Sequence, residues 1–321
     1  MKVLVLGGSK FVGHHIVETL LAHGHEVATF SRGQTNPGSH PGVTELRGDR
    51  LGDVSALEGG NWDAVVDTSA YVPRAVRSVA EILAPSNPYY LFISTISVYD
   101  DPQPGADEEA KVLELADPTV ETIDAATYGG LKVLCERELL ARFPRLAIVR
   151  PGLLMGPQDP TDRFTFWVWR FGRGGEVPVP NVPGQPLQIL DARDLATFVV
   201  SLVEAGTLGV FNAAGRPTTF GNAVRAMGEI GGASPRWIDA ARFEAAGIEP
   251  WRHLPLVPSF DGSGTGLLQI SSARANAFGL APRPLEDSIR DTLAWSRSRD
   301  SMAVGMTAEQ EAAVIALDSG A

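Results

Sequence analysis

The sequence predicts an α/β protein, a doubly wound parallel sheet followed by a smaller C-terminal α/β lobe. Three features carry that prediction. An apolar run, Val3-Leu4-Val5-Leu6, meets a glycine-rich turn from Gly7 to Gly13, and a helical stretch over residues 14–23 follows. Further apolar runs at 26–30, 62–67, 89–94 and 146–151 alternate with helical stretches, the pattern of βαβ units on a parallel sheet. Beyond Pro157 the composition shifts toward aromatics, glycines and prolines, which marks a second region. The expected division is 1–157 with a return segment at 187–214 for the sheet, and 158–186 with 215–321 for the lobe and tail.

Bulk properties narrow the function. With 321 residues and 44% hydrophobic content, the chain can bury a sizeable core. Its net charge is −11 and its pI about 5.0, and no basic stripe is visible. A nucleic-acid partner is therefore not expected, because neutralising a phosphate backbone needs clustered Lys and Arg. Cys135 is the single cysteine, so no internal disulfide forms. The first apolar run is too short for a signal peptide and no stretch approaches a membrane span, so a cytoplasmic protein with no membrane partner is expected. The histidine pairs His14/His15 and His23/His25 show no ligand constellation in the sequence, and no metal is expected.

The first strand, turn and helix form a candidate phosphate cradle. A phosphate on a helix N-terminus needs glycines where a Cβ would keep the backbone away from it. Gly7 makes the tight turn, Gly13 lets helix and strand approach, and the N–H groups of the first helical turn face the anion. The strand before the turn and the second strand after it at 26–30 supply the context such a cradle requires, with an ordinary βα turn carrying incidental glycines as the alternative. That strand ends in Ser31-Arg32-Gly33, where the adenosine ribose of a dinucleotide lies in a Rossmann-like sheet. An acidic residue there would repel a 2′-phosphate, whereas Ser31 leaves space and Arg32 supplies a planar cation, with Lys10 a second. NADP(H) is expected ahead of NAD(H), with a solvent-facing basic loop as the alternative.

A later pair carries the chemistry. Tyr128 and Lys132 open a predicted helix over 128–142, four positions apart and so on one face. An ammonium near a phenol lowers its pKa, so that Tyr128 can give or take the proton of a hydroxyl at neutral pH.

Gly7-Gly8-Ser9-Lys10-Phe11-Val12-Gly13 resembles the Gly-Gly-Thr-Gly-Phe-Ile-Gly fingerprint of the extended short-chain dehydrogenases/reductases, the NAD-dependent sugar epimerases and dehydratases. The middle glycine is Lys10 here, as in the branch that includes bacterial reductases and chloroplast stem-loop RNA-binding proteins. The resemblance implies that all seven turn residues contact the cofactor. Leu46-Arg47-Gly48-Asp49 resembles the family's Gly-Asp element, which makes Asp49 an adenine contact or, equally, a turn cap. Thr68-Ser69-Ala70 stands where the family has small residues beside the cofactor, giving Ser69 and Ala70 as contacts, while Asp67 departs from the usual His. Ser94-Thr95-Ile96-Ser97-Val98-Tyr99 resembles the Ser-Thr-x-x-Val-Tyr stretch, which assigns Thr95 to the substrate oxygen, with Ser94 a cofactor contact and Ser97 a substrate candidate. Dehydratases carry Asp-Glu after this threonine; Ile96 and Ser97 supply no such pair. Lys132 matches the residue that holds the nicotinamide ribose, and Pro151 and Leu153 match residues beside the carboxamide. Leu153 replaces the Asn that holds a sugar-nucleotide diphosphate.

The second region offers Arg163, Trp167, Arg193 and Trp251 as substrate candidates, the aromatics lining a pocket or else filling the hinge between lobes. Arg193 either faces substrate or pairs with Asp191. The implied activity is reversible hydride transfer to a carbonyl or sugar-like small molecule by Tyr128, Lys132 and Thr95. Its rivals are an epimerase that retains NAD and a dinucleotide-binding RNA or regulatory protein without turnover. A homodimer through the Tyr128 helix and a helix over 73–84 is the family expectation.

Overall fold

The computed structural model describes residues 1–36, 38 and 40–320. The chain divides into two compact units, residues 1–152, 192–214 and 270–281 in the first and residues 153–191, 215–269 and 282–321 in the second.

The first unit is built on seven parallel strands: β1 (Lys2–Leu6), β2 (Glu26–Ser31), β3 (Thr44–Arg47), β4 (Ala64–Asp67), β5 (Tyr89–Ile93), β6 (Leu146–Pro151) and a last strand, Gly209–Ala213. Their order across the sheet is Gly209–Ala213, β6, β5, β4, β1, β2, β3. β1 lies in the middle because it is apolar on both faces, and Val3, Leu4, Val5 and Leu6 are at most 1% exposed. The strand order reverses between β1 and β4, which opens a crevice at their C-terminal ends. Leu6 is in register with Phe30 on one side and Asp67 on the other, so the turn after β1 emerges beside the ends of β2 and β4.

Three helices position the crevice residues. α1 (Phe11–Ala22) begins three residues ahead of the predicted start, because Lys10 is already an extended N-cap residue and the glycine turn closes before it. α2 (Pro73–Leu83) starts on a proline that needs no N–H partner, and buries Val76, Val79, Ala80 and Leu83 while Arg74, Arg77 and Glu81 stay in solvent. α3 (Tyr128–Leu140) lies close against the turn that follows β5. A Cβ on Gly129 would sit 2.0 Å from the Ser97 carbonyl oxygen, so only glycine permits that approach.

The acidic stretch over 100–122 is a loop, as expected, fastened by the Leu113 N–H to the Val98 carbonyl and by Glu108, whose carboxylate accepts from the Asn212 N–H at 2.8 Å. Residues 270–281 join the first unit and not the lobe. Ser272 Oγ accepts from the Ala214 N–H at 2.8 Å, Asn212 Nδ2 donates to the Ser271 carbonyl at 3.2 Å, and Arg274 donates to the Val210 carbonyl at 3.2 Å. The segment thus satisfies polar groups along the sheet's edge strand, a tertiary demand invisible in local sequence.

The second unit pairs Glu176–Pro180 with Ser234–Ile238, Leu153–Met155 with Ile189–Asp191, and Pro186–Leu187 with Thr218–Thr219. Helices Arg163–Phe171, Phe220–Gly231 and Leu285–Ser296 enclose a core rich in Phe164, Phe166, Trp167 and Phe171. The predicted capping box at Thr307 and Gln310 opens the helix Ala308–Ser319.

One buried ion pair fixes the end of β4. Asp67 is fully buried and takes two hydrogen bonds from Arg50, Nη1 to Oδ1 at 2.7 Å and Nη2 to Oδ2 at 2.8 Å. The Tyr90 hydroxyl and the Ser69 N–H complete the carboxylate's partners at 2.8 and 3.0 Å, and Arg50 also donates to the Ala75 carbonyl. Burial alone would raise the Asp67 carboxyl, but the Arg50 charge and these hydrogen bonds hold it below the usual carboxylate range. Removing one partner leaves a charge stranded in the interior. Arg50→Met is therefore expected to cost about 3–5 kcal/mol by denaturant unfolding, and adding Asp67→Leu to recover most of it. Because the carboxyl pKa is depressed on folding, wild-type stability falls as the pH drops below the normal carboxylate range, and the double variant loses that dependence.

Candidate functional site

The turn after β1 has the shape of an anion cradle. Gly7 and Gly8 take φ of +111° and +96°, and a Cβ on Gly7 would meet Thr68 Oγ1 at 2.2 Å. A Cβ on Gly13 would lie 2.6 Å from the Gly8 nitrogen, so helix and turn touch through bare backbone. Ser9 is half-buried, Lys10 is exposed and its side chain caps nothing, Phe11 is buried edge-on to His15, and Val12 is half-buried. These residues fit a dinucleotide pyrophosphate on the turn, since glycines at these close approaches bring the turn backbone against the start of α1, whose free N–H groups can face an anion.

Beside the turn lies a small, partly open cleft lined by Gly8, Ser9, Ser31, Gly33, His40 and Glu45, among others. Ser31 Oγ accepts from the Gly33 N–H at 3.2 Å, and Arg32 is exposed next to it. The one carboxylate in the wall, Glu45, accepts from the Gly38 N–H at 2.7 Å and lies 3.6 Å from Arg47, which offsets its charge. Asp49 is exposed and accepts from the Leu51 N–H at 3.0 Å, the geometry of a turn cap.

The residues after β4 close the other side. Thr68 and Ser69 hydroxyls both donate to the Leu6 carbonyl, at 3.0 and 3.1 Å, and Ser69 Oγ also accepts from Arg50 at 2.9 Å. Ala70 is fully buried, and its carbonyl faces α3.

On α3, Lys132 is 3% exposed. Its Nζ donates to the Ala70 carbonyl at 2.9 Å and to the Ile93 carbonyl at 2.7 Å, and stands 4.0 Å from the centre of the Phe92 ring. Burial lowers its pKa to about 8, against the raising influence of Cys135 and Asp67. Tyr128 is half-buried one helical turn earlier, its ring 6.3 Å from that of Tyr71. Thr95 Oγ1 accepts from the Ser97 N–H at 3.1 Å and donates to Ser97 Oγ at 3.2 Å. The Gly129 contact with Ser97 brings the start of α3 against this turn, so Thr95, Ser97, Tyr128 and Lys132 belong to one neighbourhood. Ser94 is turned to the interior, its hydroxyl donating to Glu136 at 2.5 Å.

Sequence reasoning passed over two residues here. Glu136 continues the face of Tyr128 and Lys132 and is held by Arg150 at 3.0 and 2.6 Å. Arg150 Nη1 in turn donates to the Tyr99 hydroxyl, which donates to Asn212. Its i+4 spacing from Lys132 was the available signal. Tyr71, 44% exposed with its ring 5.4 Å from Lys132 Nζ, gave none beyond its position after Ala70.

The remaining candidates are dispersed. Pro151 is buried at the end of β6, and Arg193 is half-buried on the first unit's helix Ala192–Ala205. Asp191, in the second unit, accepts from Ser288 at 2.6 Å and lies 3.8 Å from Arg283. Also in the second unit, Leu153 is half-buried in its strand, and the Arg163 guanidinium lies 5.4 Å from the centre of the exposed Trp251 ring. Trp167 offers no face to a ligand: it is fully enclosed in that unit's core, and Nε1 donates to the Pro255 carbonyl at 2.5 Å. The histidines also depart from expectation. His14 and His15 meet Glu18, and His23 and His25 meet Glu204, which helix packing brings in from far along the chain. No described helix is long and apolar enough to cross a membrane.

The sequence profile of the NAD dependent epimerase/dehydratase family matches residues 3–214, the span that contains the glycine turn, Thr95, Tyr128 and Lys132. Chloroplast stem-loop binding protein of 41 kDa b from Arabidopsis thaliana is 26% identical over 252 residues, 72% of this chain and 63% of that protein. A 3-beta-hydroxysteroid dehydrogenase from Mycolicibacterium neoaurum is 40% identical over 72 residues, 22% of this chain and 20% of the relative. This chain thus spans less than two thirds of the length of both. The fold is that of UDP-glucose 4-epimerase from Thermus thermophilus in complex with NAD, with a TM-score of 0.67, 21% identity, and coverage of 93% of this chain and 100% of that one. UDP-glucuronic acid 4-epimerase from Bacillus cereus in complex with NAD gives a TM-score of 0.67 at 16% identity, over 92% and 99% of the two chains. With two thirds of its length on the family profile, the chain belongs to the NAD-dependent epimerase/dehydratase family.

Proposed function

We propose that this protein is an NADP(H)-dependent oxidoreductase that moves a hydride reversibly to or from a carbonyl or sugar-like small molecule. The observation that carries this is Lys132, a buried ammonium held by two strand-end carbonyls one helical turn from Tyr128 and beside the Thr95 turn. A bound nicotinamide dinucleotide supplies the hydride chemistry. The backbone from Gly7 to Gly13 holds the pyrophosphate. Ser31 leaves room for a 2′-phosphate, which Arg32 and Lys10 pair with. Ser69 and Ala70 let the chain pass close to the ribose. An ammonium has three N–H donors, and two of Lys132's are engaged by Ala70 and Ile93. We assign the third to the ribose hydroxyls. Its charge favours the Tyr128 phenolate, so that Tyr128 takes the hydroxyl proton on oxidation and returns it on reduction, while Thr95 fixes the substrate oxygen.

Two other readings have specific support. The Arabidopsis relative's name supports stem-loop RNA binding. The net charge of −11 opposes it, and gel-shift binding that survives raised salt would revive it. The NAD-bound sugar epimerases of the same fold support a retained cofactor.

Calorimetric titration with NADP⁺ and NAD⁺, after mass spectrometry for carried-over cofactor, separates these readings. Tighter NADP⁺ binding is expected, with the preference falling by up to about 5-fold in Arg32→Ala, the worth of one screened charge pair at an exposed position. NAD that arrives bound and does not exchange would transfer the assignment to an epimerase. In a screen of carbonyl compounds with NADPH, Tyr128→Phe is expected to lower kcat by about 10²- to 10⁴-fold while leaving cofactor affinity unchanged. Lys132 titrates at about 8 and is cationic below that, so the rate is expected to decline as the pH rises through about 8. Lys132→Met should lack that limb of the pH profile.

A further inference from the structure

α1 and the helix Ala192–Ala205 pack against each other in the first unit and bring their C-terminal ends together. There His23, the residue after α1, and His25 meet Glu204 in the last turn of the second helix. His23 Nδ1 and His25 Nε2 each lie 3.0 Å from one oxygen, Glu204 Oε1, and the three donor atoms all fall within 4.8 Å of one another. We propose that His23, His25 and Glu204 form a binding site for a divalent transition-metal ion of the zinc class, outside the dinucleotide crevice and independent of the hydride chemistry.

Three features support the site. The first is spacing. With metal bonds of about 2.0–2.2 Å, ligand atoms on a tetrahedral ion stand about 3.3 Å apart, so each 3.0 Å nitrogen–oxygen separation opens by a few tenths of an ångström and the two imidazole nitrogens, within 4.8 Å of each other, close by at most about 1.5 Å. The second is electrostatic. Helix C-termini carry partial negative charge, two of them converge here, and neither helix has a basic residue in its last turn. The third is chemical type. Two imidazoles and one carboxylate suit zinc, nickel or copper, whereas magnesium and calcium take oxygen ligands.

His25 is 9% exposed and firmly placed, while His23 and Glu204 are 41% and 38% exposed, leaving the outward positions of the ion to water. Without a metal, the imidazoles donate to Glu204; on binding, each carries its proton on its other nitrogen. For His25 that nitrogen is Nδ1, which lies 3.3 Å from the Met1 nitrogen. The other histidine cluster is a weaker candidate, because its imidazoles bond to different oxygens of Glu18, at 3.2 and 3.3 Å, from a single helix.

The test is calorimetry on the full-length untagged chain, stripped with chelator and titrated with ZnCl₂ in mildly alkaline buffer. The titration is repeated with MgCl₂ and on His23→Ala, Glu204→Gln and Glu18→Gln. One Zn²⁺ per chain is expected, with no heat from Mg²⁺. Each of the first two variants should lose more affinity than the roughly 10–100-fold typical of changes around a metal's ligands, and Glu18→Gln should bind as wild type does. Zn²⁺ should also raise the thermal midpoint of wild type and Glu18→Gln and not of the other two, whose midpoints in chelator report any damage to the fold. The proposal is overturned if Zn²⁺ does not bind, if binding survives both His23→Ala and Glu204→Gln, or if it is lost only in Glu18→Gln.

Discussion

A buried ammonium must be held by oxygen atoms, and that constraint on Lys132 organises the first unit. Its two acceptors, the carbonyls of Ala70 and Ile93, lie just past β4 and at the last residue of β5, so α3 has to cross these strand ends at one height. A helix reaches that height only if its first turn can touch the chain it crosses. Gly129 supplies this against Ser97, and Gly130 against Leu115, where a Cβ would approach to 2.5 Å. One turn beyond Lys132, Glu136 ties the same face to Ser94 and Arg150. Tyr128 is thus the half-buried end of a helix face whose other members are committed to the interior. Such a tyrosine keeps its place before any ligand arrives, which is the pre-organisation an acid/base group requires.

Much of this fold was legible in the chain, for a physical reason. Strands buried on both faces must be apolar at consecutive positions, so β1, β4, β5 and β6 appear as runs within two residues of their observed limits. The turn from Gly7 to Gly13 was legible because glycine alone tolerates its backbone angles and approaches, and Tyr128 and Lys132 because a helix aligns positions four apart. What escaped is what distant packing decides. Asp67 looked like a departure without a role until Arg50, far from it in sequence, proved to be its partner. Glu204 lies about 180 residues from the two histidines it meets. Residues 270–281 follow the lobe in sequence and belong to the sheet because its edge strand has polar groups to satisfy. The aromatic run around Trp167 reads equally as pocket lining or core, since both select large apolar side chains; enclosure in the core decided it.

The two buried ion pairs of the first unit share a logic. Arg50 with Asp67 and Arg150 with Glu136 are each bidentate, and each carboxylate also receives a hydroxyl, from Tyr90 or Ser94. Burying charge costs several kcal/mol per ion before pairing, so such pairs add little net stability compared with an apolar filling. They contribute direction instead. A carboxylate held by three or four hydrogen bonds permits one orientation of the strand end or helix it belongs to, and both pairs lie beside residues of the proposed site, Ser69 in one case and Ser94 with Lys132 in the other.

The same electrostatic reasoning bears on how a cofactor would be held. Lys10 and Arg32 are exposed, and charge pairs at exposed positions are screened and worth about 0–1 kcal/mol each. The selective end of the proposed site would therefore discriminate through a few weak contacts, while the glycine turn would supply a pyrophosphate hold common to both dinucleotides. Binding built that way favours a moderate dissociation rate, as a reductase that exchanges its cofactor at every turnover requires. An epimerase has the opposite need, because a cofactor lost between oxidation and reduction strands the intermediate. In that case the adenosine end should be closed by buried contacts, and instead Ser31, Arg32 and Asp49 lie half-buried or exposed around it. The protein's charge acts in the same direction. A surface of net charge −11 repels a polyanionic dinucleotide at long range, so in the proposed function the two exposed cations would serve capture as well as selectivity, and both effects would weaken together as salt rises.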